Sequence, residues 1–282
     1  MTTVLDEFDR EVTTRLARLH EFAAAGGLEP AIDIFADCLA HGGVIQAFGT
    51  GHSQAFAMEI AGRAGGFIPT HPIKLEDLVL LGGWPVSALG GSELERDSTV
   101  ADQLYDLYDI RPRDAFIIAS NSGANGSTVG LALRAKKEGH PVIAVTSLLH
   151  TAAVVSKHPS GKRLCEVADV VLDNLAPYGD ATLDSAAGVK VGAVSSITAA
   201  YLAQLLTVGT VARLAAAGIE PPLYVSANIP GGDEHNHALE ASLGVRIKPY
   251  AHLDEMAAPT GPRVSSLPGS DAAVAQAPLR TT

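Results

Sequence analysis

The sequence predicts an α/β fold, a mainly parallel sheet with helices on both faces. Three observations carry this expectation. Short apolar runs recur along the chain at Val44 to Phe48, Ala115 to Ala119, Val142 to Thr146 and Val170 to Leu172. Each later run is reached through a helical segment, and strands that alternate with helices make βαβ units. The runs are apolar at nearly every position instead of alternating with polar residues, as strands covered on both sides are.

The elements follow in order. Residues 2–24 place Leu5, Phe8, Val12, Leu16, Leu19 and Phe22 at spacings of three and four, an amphipathic helix that needs a partner surface, as a lid or a subunit contact. A second helix from Pro30 to Ala40 stops at Gly42-Gly43, before the first strand. Ser185 to Ala217 is rich in Ala, Val, Ile and Leu and reads as one long buried helix, with Gly209 as a candidate break. A short helix follows "YVSANIPGGDEHNHALEASLG". Beyond Asp254 the chain turns to Ala, Pro, Ser and Thr without periodicity, a composition expected to be disordered.

Composition narrows the function classes. The 282 residues are 47% hydrophobic and 18% charged, enough for one sizeable core. The net charge of -11 offers no basic stripe, so a nucleic-acid partner is not expected, while a small anion held by backbone N–H groups is. No run approaches the roughly 18 consecutive apolar residues of a membrane span, and the charged start is unlike a signal peptide; the expected location is the cytoplasm, with no membrane partner. Cys38 and Cys165 sit among apolar neighbours and read as two buried thiols.

Two junctions carry unusual chemistry. In "AFGTGHSQAFAMEIAGRAGG", Gly49 and Gly51 permit close backbone approach, His52 lies beside the turn, and Ser53 can cap the helix that follows. In "AFIIASNSGANGSTVGLALRAKKEG", Ser120, Asn121, Ser122, Asn125 and Ser127 surround Gly123 and Gly126. A strand leading into a helix N-terminus, with added hydroxyls, suits a phosphate. One serine would suffice for a cap; the redundancy favours a ligand. A dinucleotide fingerprint is not met, because Gln54 stands where the third glycine should be, and no Gly-Lys-Ser/Thr follows either turn.

These residues resemble a family. "SNSGANGSTVGLALRAKKEGHPVIAVTS" is similar to the phosphate-binding segment of SIS (sugar isomerase) domains, "GTGHS" fits that family's first loop, and "GVKVGAVSSITAAYLAQLL" resembles the long helix of N-acetylmuramic acid 6-phosphate etherases. "SKHPSGKRLCEVADVVLDNLAPYGDA" and "NIPGGDEHN" look like the stand-alone members of the family, with phosphoheptose isomerases as further relatives. The resemblance implies a three-layer, flavodoxin-like sandwich on a five-stranded parallel sheet. Residues 1–29 would be a helical extension, 30–253 the SIS domain alone, and 254–282 the tail. It also implies a homodimer or homotetramer with a phosphorylated sugar at a shared site, and no cofactor. Carried over by position, Ser53, Ser120, Ser122 and Asn125 would hold the phosphate, although Asn125 replaces the usual Thr or Ser.

Sugar phosphate isomerases and eliminases both begin by removing a proton beside a carbonyl, which needs a base near the substrate. Glu59, two turns into the helix from Ser53 in an apolar run, is the first candidate; a second reading pairs it with Arg63 at i+4. In "GGDEHNH", Glu234 or His235 are candidates for an acid, a base or a ring opener, with a neighbouring subunit able to supply them, while Asp233 can equally be a helix cap. His235 and His237 diverge on a helix, so no metal is expected. Lys190 either places a cation near the pocket or reaches the surface. The expected reaction is C2 proton abstraction and C3 elimination on an N-acetylhexosamine 6-phosphate such as N-acetylglucosamine 6-phosphate. An aldose–ketose isomerase and a non-catalytic phosphosugar sensor are the alternatives.

Overall fold

The computed structural model describes residues 3–250. Five parallel strands, β1 (Ile45–Gly49), β2 (Thr70–Ile73), β3 (Ala115–Ala119), β4 (Val142–Thr146) and β5 (Val170–Asp173), form one sheet in the order β2-β1-β3-β4-β5. That is the doubly wound, flavodoxin-like order, with the reversal between β1 and β3.

The helices make two covering layers. On one face lie α1 (Val4–Ala24), α2 (Glu29–Ala40), α3 (Gln54–Ile60) and α9 (Ser195–Ala216). On the other are the short α4 (Asp77–Leu80) and α5 (Glu93–Arg96), with α6 (Val100–Asp106) and α7 (Gly126–Lys137). The one-turn α8 (Leu148–Ala152) follows β4, and α10 (Gly232–Glu240) comes late in the chain. Strand periodicity divides the core between the faces. Ile45, Ala47, Ala115, Ile117, Ala119, Ile143 and Val145 pack beneath α2, α3 and α9, whereas Phe48, Phe116, Ile118, Val142 and Ala144 pack beneath α6 and α7.

Helix α1 begins at a reciprocal cap in which the Asp6 N–H donates to Thr3 Oγ1 at 3.1 Å and the Thr3 N–H to Asp6 Oδ2 at 2.7 Å. It lies on α9 with Leu19 buried and Val4 and Leu5 exposed. Among the described residues α9 is long and apolar enough to cross a membrane by length and composition, but it is the central core helix, packed on α2 and α3. A Cβ on Gly209 would collide with the Ile32 side chain of α2, so this glycine permits close helix packing and α9 runs through it unbroken.

Three sequence expectations need correction. The long helix begins at Ser195, not Ser185, because residues 181–193 form an antiparallel hairpin of β6 (Ala181–Asp184) and β7 (Lys190–Ala193). "GVKVGAV" alternates as a strand does, with Gly188 and Gly192 at φ 74° and 76° where a helix cannot continue. Lys190 is therefore on the exposed hairpin, 3.8 Å from Asp184, and not in an apolar helix. Cys38 is buried, its thiol pushed up to about 12 by desolvation, but Cys165 is only partly buried. The tail expected from residue 254 lies outside the described residues.

Candidate functional site

Both unusual junctions end at the carboxyl edge of the sheet, one after β1 and one after β3, flanking the point where strand order reverses. This is where open α/β sheets bind ligands. After β1, a Cβ on Gly49 would strike the Ser53 carbonyl, and Gly51 adopts φ 54°. The chain can thus fold tightly into α3. Ser53 does not cap α3, contrary to expectation, and among the described residues its hydroxyl has no hydrogen bond.

After β3, Ser120 Oγ accepts the Gly123 N–H at 3.1 Å and Ser122 Oγ accepts the Ala124 N–H at 3.4 Å, so these hydroxyls shape the turn. Gly123 has φ 61°, and a Cβ there would lie 2.7 Å from Thr151 Oγ1. Asn125 starts α7 without capping it. Its amide nitrogen donates to the Glu95 carboxylate and its Oδ1 accepts Lys157 Nζ at 3.1 Å. Ser127 is fully buried and donates to the Glu95 carbonyl at 2.8 Å, a packing role away from the cleft.

Between the two turns is a narrow cleft of about 10 Å³, the size of roughly one water. His52, Ser53 and Phe56 line it from the first turn, Ser120 and Asn121 from the second, and Asn174, Ser195 and Ser196 from two later segments in which the sequence reading named no site residue. Asn174, just past β5, donates to Asn121 Oδ1 at 3.2 Å, and Asn121 Nδ2 lies 3.3 Å from His150 Nδ1. Burial holds the His150 imidazole below the usual histidine range, against the opposing pull of Asp180. Asp180, at φ 70°, accepts the Ser195 N–H at 2.8 Å and the Ser195 hydroxyl at 2.6 Å, so the first turn of α9 already holds a carboxylate.

The sequence matches the SIS domain family model over residues 7–147. A UPF0309 protein of Geobacillus thermodenitrificans is 37% identical over 236 residues, covering 83% of this chain and 92% of its own. The chain belongs to the SIS domain family. A UPF0309 protein of Listeria monocytogenes is 38% identical over 239 residues, covering 84% of this chain and 95% of its own. Among solved structures, a phosphoheptose isomerase from Francisella tularensis superposes with TM-score 0.47 at 18% identity, over 74% of this chain and 98% of that one. Overlap at that level bears on neither reaction nor ligand.

Within this SIS chain, the loop residues and the acid–base candidates are separated. Glu59 lies on α3 one turn beyond Phe56, where its carboxylate accepts bonds from Arg63 at i+4 and from Gln204 Nε2 of α9 at 2.6 Å. It lies along the α3–α9 seam that begins at the cleft, but does not line it. Glu234 and His235 are exposed on α10, with His235 Nε2 3.0 Å from the Leu223 carbonyl. Leu239 and Leu243 pack there on Val44 and Ile68, which precede β1 and β2. These two residues therefore sit at the amino edge of the sheet, opposite the cleft of the same chain. Among the described residues no group of three or more His, Cys, Asp or Glu side chains could hold a metal ion.

Proposed function

We propose that this chain binds a phosphorylated sugar at the mouth of the cleft and catalyses removal of the proton on C2. The observation that carries this reading is the convergence of Ser53, Ser120 and Asn121 on one cleft at the topological switch point, at the turn that leads on into the uncapped start of α7. Ser53 brings a free hydroxyl, α7 brings N–H groups not taken by Asn125, and Ser120 and Ser122 hold the turn that aims them.

The finer reading is elimination on an N-acetylhexosamine 6-phosphate. Phe56, Val145 and Ala199 give the cleft apolar wall for an acetyl methyl, and the Asn121 and Asn174 amides match its amide. In the open-chain sugar, Glu59 takes the C2 proton as the C–H electrons move into an enolate. Collapse of the enolate expels the C3 hydroxyl, protonated by an acid, as water, leaving a C2–C3 double bond. Glu59 has to reach the sugar from one turn down the α3–α9 seam, which requires release from Gln204. Glu234 or His235 fits the acid only if a second copy of the chain brings its α10 to this cleft, so a homodimer or larger homo-oligomer is part of the proposal.

Incubation with N-acetylglucosamine 6-phosphate in deuterated water, followed by proton NMR, tests this. Loss of the C2 proton signal with new olefinic signals supports elimination. Exchange without olefin would replace it with isomerisation or epimerisation, and binding without exchange would leave a sensor.

A further inference from the structure

The Ser120–Ser127 turn carries donors but no formal positive charge of its own. Beside it stands a carboxylate. Glu95 accepts from Asn125 Nδ2 through Oε1, while Oε2 lies 3.5 Å from the point a Cβ on Gly51 would occupy, so one anionic group reaches both loops. It also borders a cavity of about 460 Å³ on that side of Gly51, together with Gln54 and Glu76.

On the other side of Asn125, its Oδ1 accepts Lys157 Nζ at 3.1 Å. Glu95, Asn125 and Lys157 thus form a continuous chain from carboxylate through amide to ammonium. The lysine is tethered in place: its own N–H donates to the Ala124 carbonyl at 2.8 Å, and the Leu164 N–H donates to the Gly123 carbonyl at 2.8 Å. The segment from 157 to 164 is stitched at both ends to the turn.

Charge decides what this arrangement can hold. A helix N-terminus contributes about half a positive charge, and a phosphate monoester carries about -1.5 to -2 near neutral pH. With Glu95 alone beside it, the start of α7 would present a net charge of about -0.5 and repel the phosphate; with the ammonium added, the sum becomes about +0.5. Only one of the three ammonium donors is engaged by Asn125, which leaves two for phosphate oxygens.

We propose that Lys157 is an anion-binding residue of this site: it offsets Glu95 and supplies the positive charge on which a doubly charged phosphate is held, with Asn125 as the spacer between the two. The inference rests on the reading of the turn as a phosphate site. Glu95 sets an upper limit on affinity and favours ligands carrying a full dianion over singly charged groups.

The test titrates the full chain calorimetrically with inorganic phosphate and with N-acetylglucosamine 6-phosphate, each at two salt concentrations. Lys157→Ala is expected to weaken both about tenfold or more and to flatten the salt dependence, while Lys157→Arg retains most of the affinity and Glu95→Gln tightens binding. Lys157 is exposed, and an unchanged melting temperature shows that Lys157→Ala keeps the fold. If Lys157→Ala binds as the parent does, with the same salt dependence, this inference is overturned and the sugar phosphate reading stands. If the parent binds phosphate through Lys157 but does not bind the sugar phosphate, the inference stands and that choice of sugar falls. Binding of neither ligand by the parent overturns both.

Discussion

Glu59 Oε1 and Gln204 Nε2 meet at 2.6 Å across the seam of α3 and α9. The same oxygen also takes the Arg63 guanidinium, so the proposed base is held one helical turn from the cleft by two donors. The carboxylate ties α3 to α9, and substitution separates that packing role from the proposed role as base.

Glu59→Gln should lower C2 proton exchange by about 100-fold or more, with little change in sugar phosphate affinity measured calorimetrically. Full exchange activity in this variant would remove Glu59 from the mechanism. Gln204→Ala leaves the carboxylate in place and should retain exchange.

Gly123→Ala should destabilise the protein by about 1–3 kcal/mol, because the position needs φ 61° and a Cβ would crowd Thr151. Thermal denaturation reads the loss. Ser120→Ala should cost about 1 kcal/mol through the freed Gly123 N–H and should weaken phosphate binding in parallel. Stability and affinity that both stay unchanged would place Ser120 outside the turn's architecture.

Asp114 is fully buried before β3, where it accepts the Val44 N–H at 2.9 Å, Gln46 Nε2 at 3.0 Å and Arg246 Nη2 at 2.5 Å. Arg246→Met strands that carboxylate and should cost about 3–5 kcal/mol in chemical denaturation. A loss below about 1 kcal/mol would mean that water reaches the site in the parent protein.

His71 is buried on β2 with Nδ1 3.1 Å from Gln46 Oε1, and burial lowers it from 6.5 to about 4, with Lys74 adding to the shift. The unfolded chain then binds more protons than the native one between those values. The stability contributed by neutral His71 is complete above about pH 6.5, falls as pH drops towards 4, and levels below it, a difference of about 3 kcal/mol. Urea melts of the parent and of His71→Asn across that window should differ in slope by this amount; parallel curves would show that His71 does not control it.

The sheet was legible where apolar residues run together in sequence, and this includes β5, which is only partly buried. β1, β3, β4 and β5 are apolar runs, and their positions follow from composition. β2 was not singled out because "THPI" holds a histidine and a proline; Pro72 is tolerated since β2 is an edge strand, and His71 since Gln46 meets it. The hairpin was absorbed into a helix because Ala and Val suit both states, although Val189, Val191 and Ala193 alternate. At the site, Ser53, Ser120 and Asn121 were readable from the loops that bear them. Asn174, Ser195 and Ser196 were not, since they come from separate segments assembled only by the fold; the paired serines opening α9 were the available signal. Lys157 lay in a quoted segment, but its contact with Asn125 spans 32 positions and leaves no local pattern.

The clasp between Arg246 and Asp114 joins residues 132 positions apart, whereas the family model ends at residue 147. A shortened chain cut after β5, or even after α9, would still contain all five strands of the parallel sheet yet would leave the buried Asp114 side chain without its guanidinium partner at the base of the sheet. The smallest piece of this protein that folds by itself should therefore extend past Arg246, and trimming from the carboxyl end should show an abrupt threshold there instead of a gradual decline.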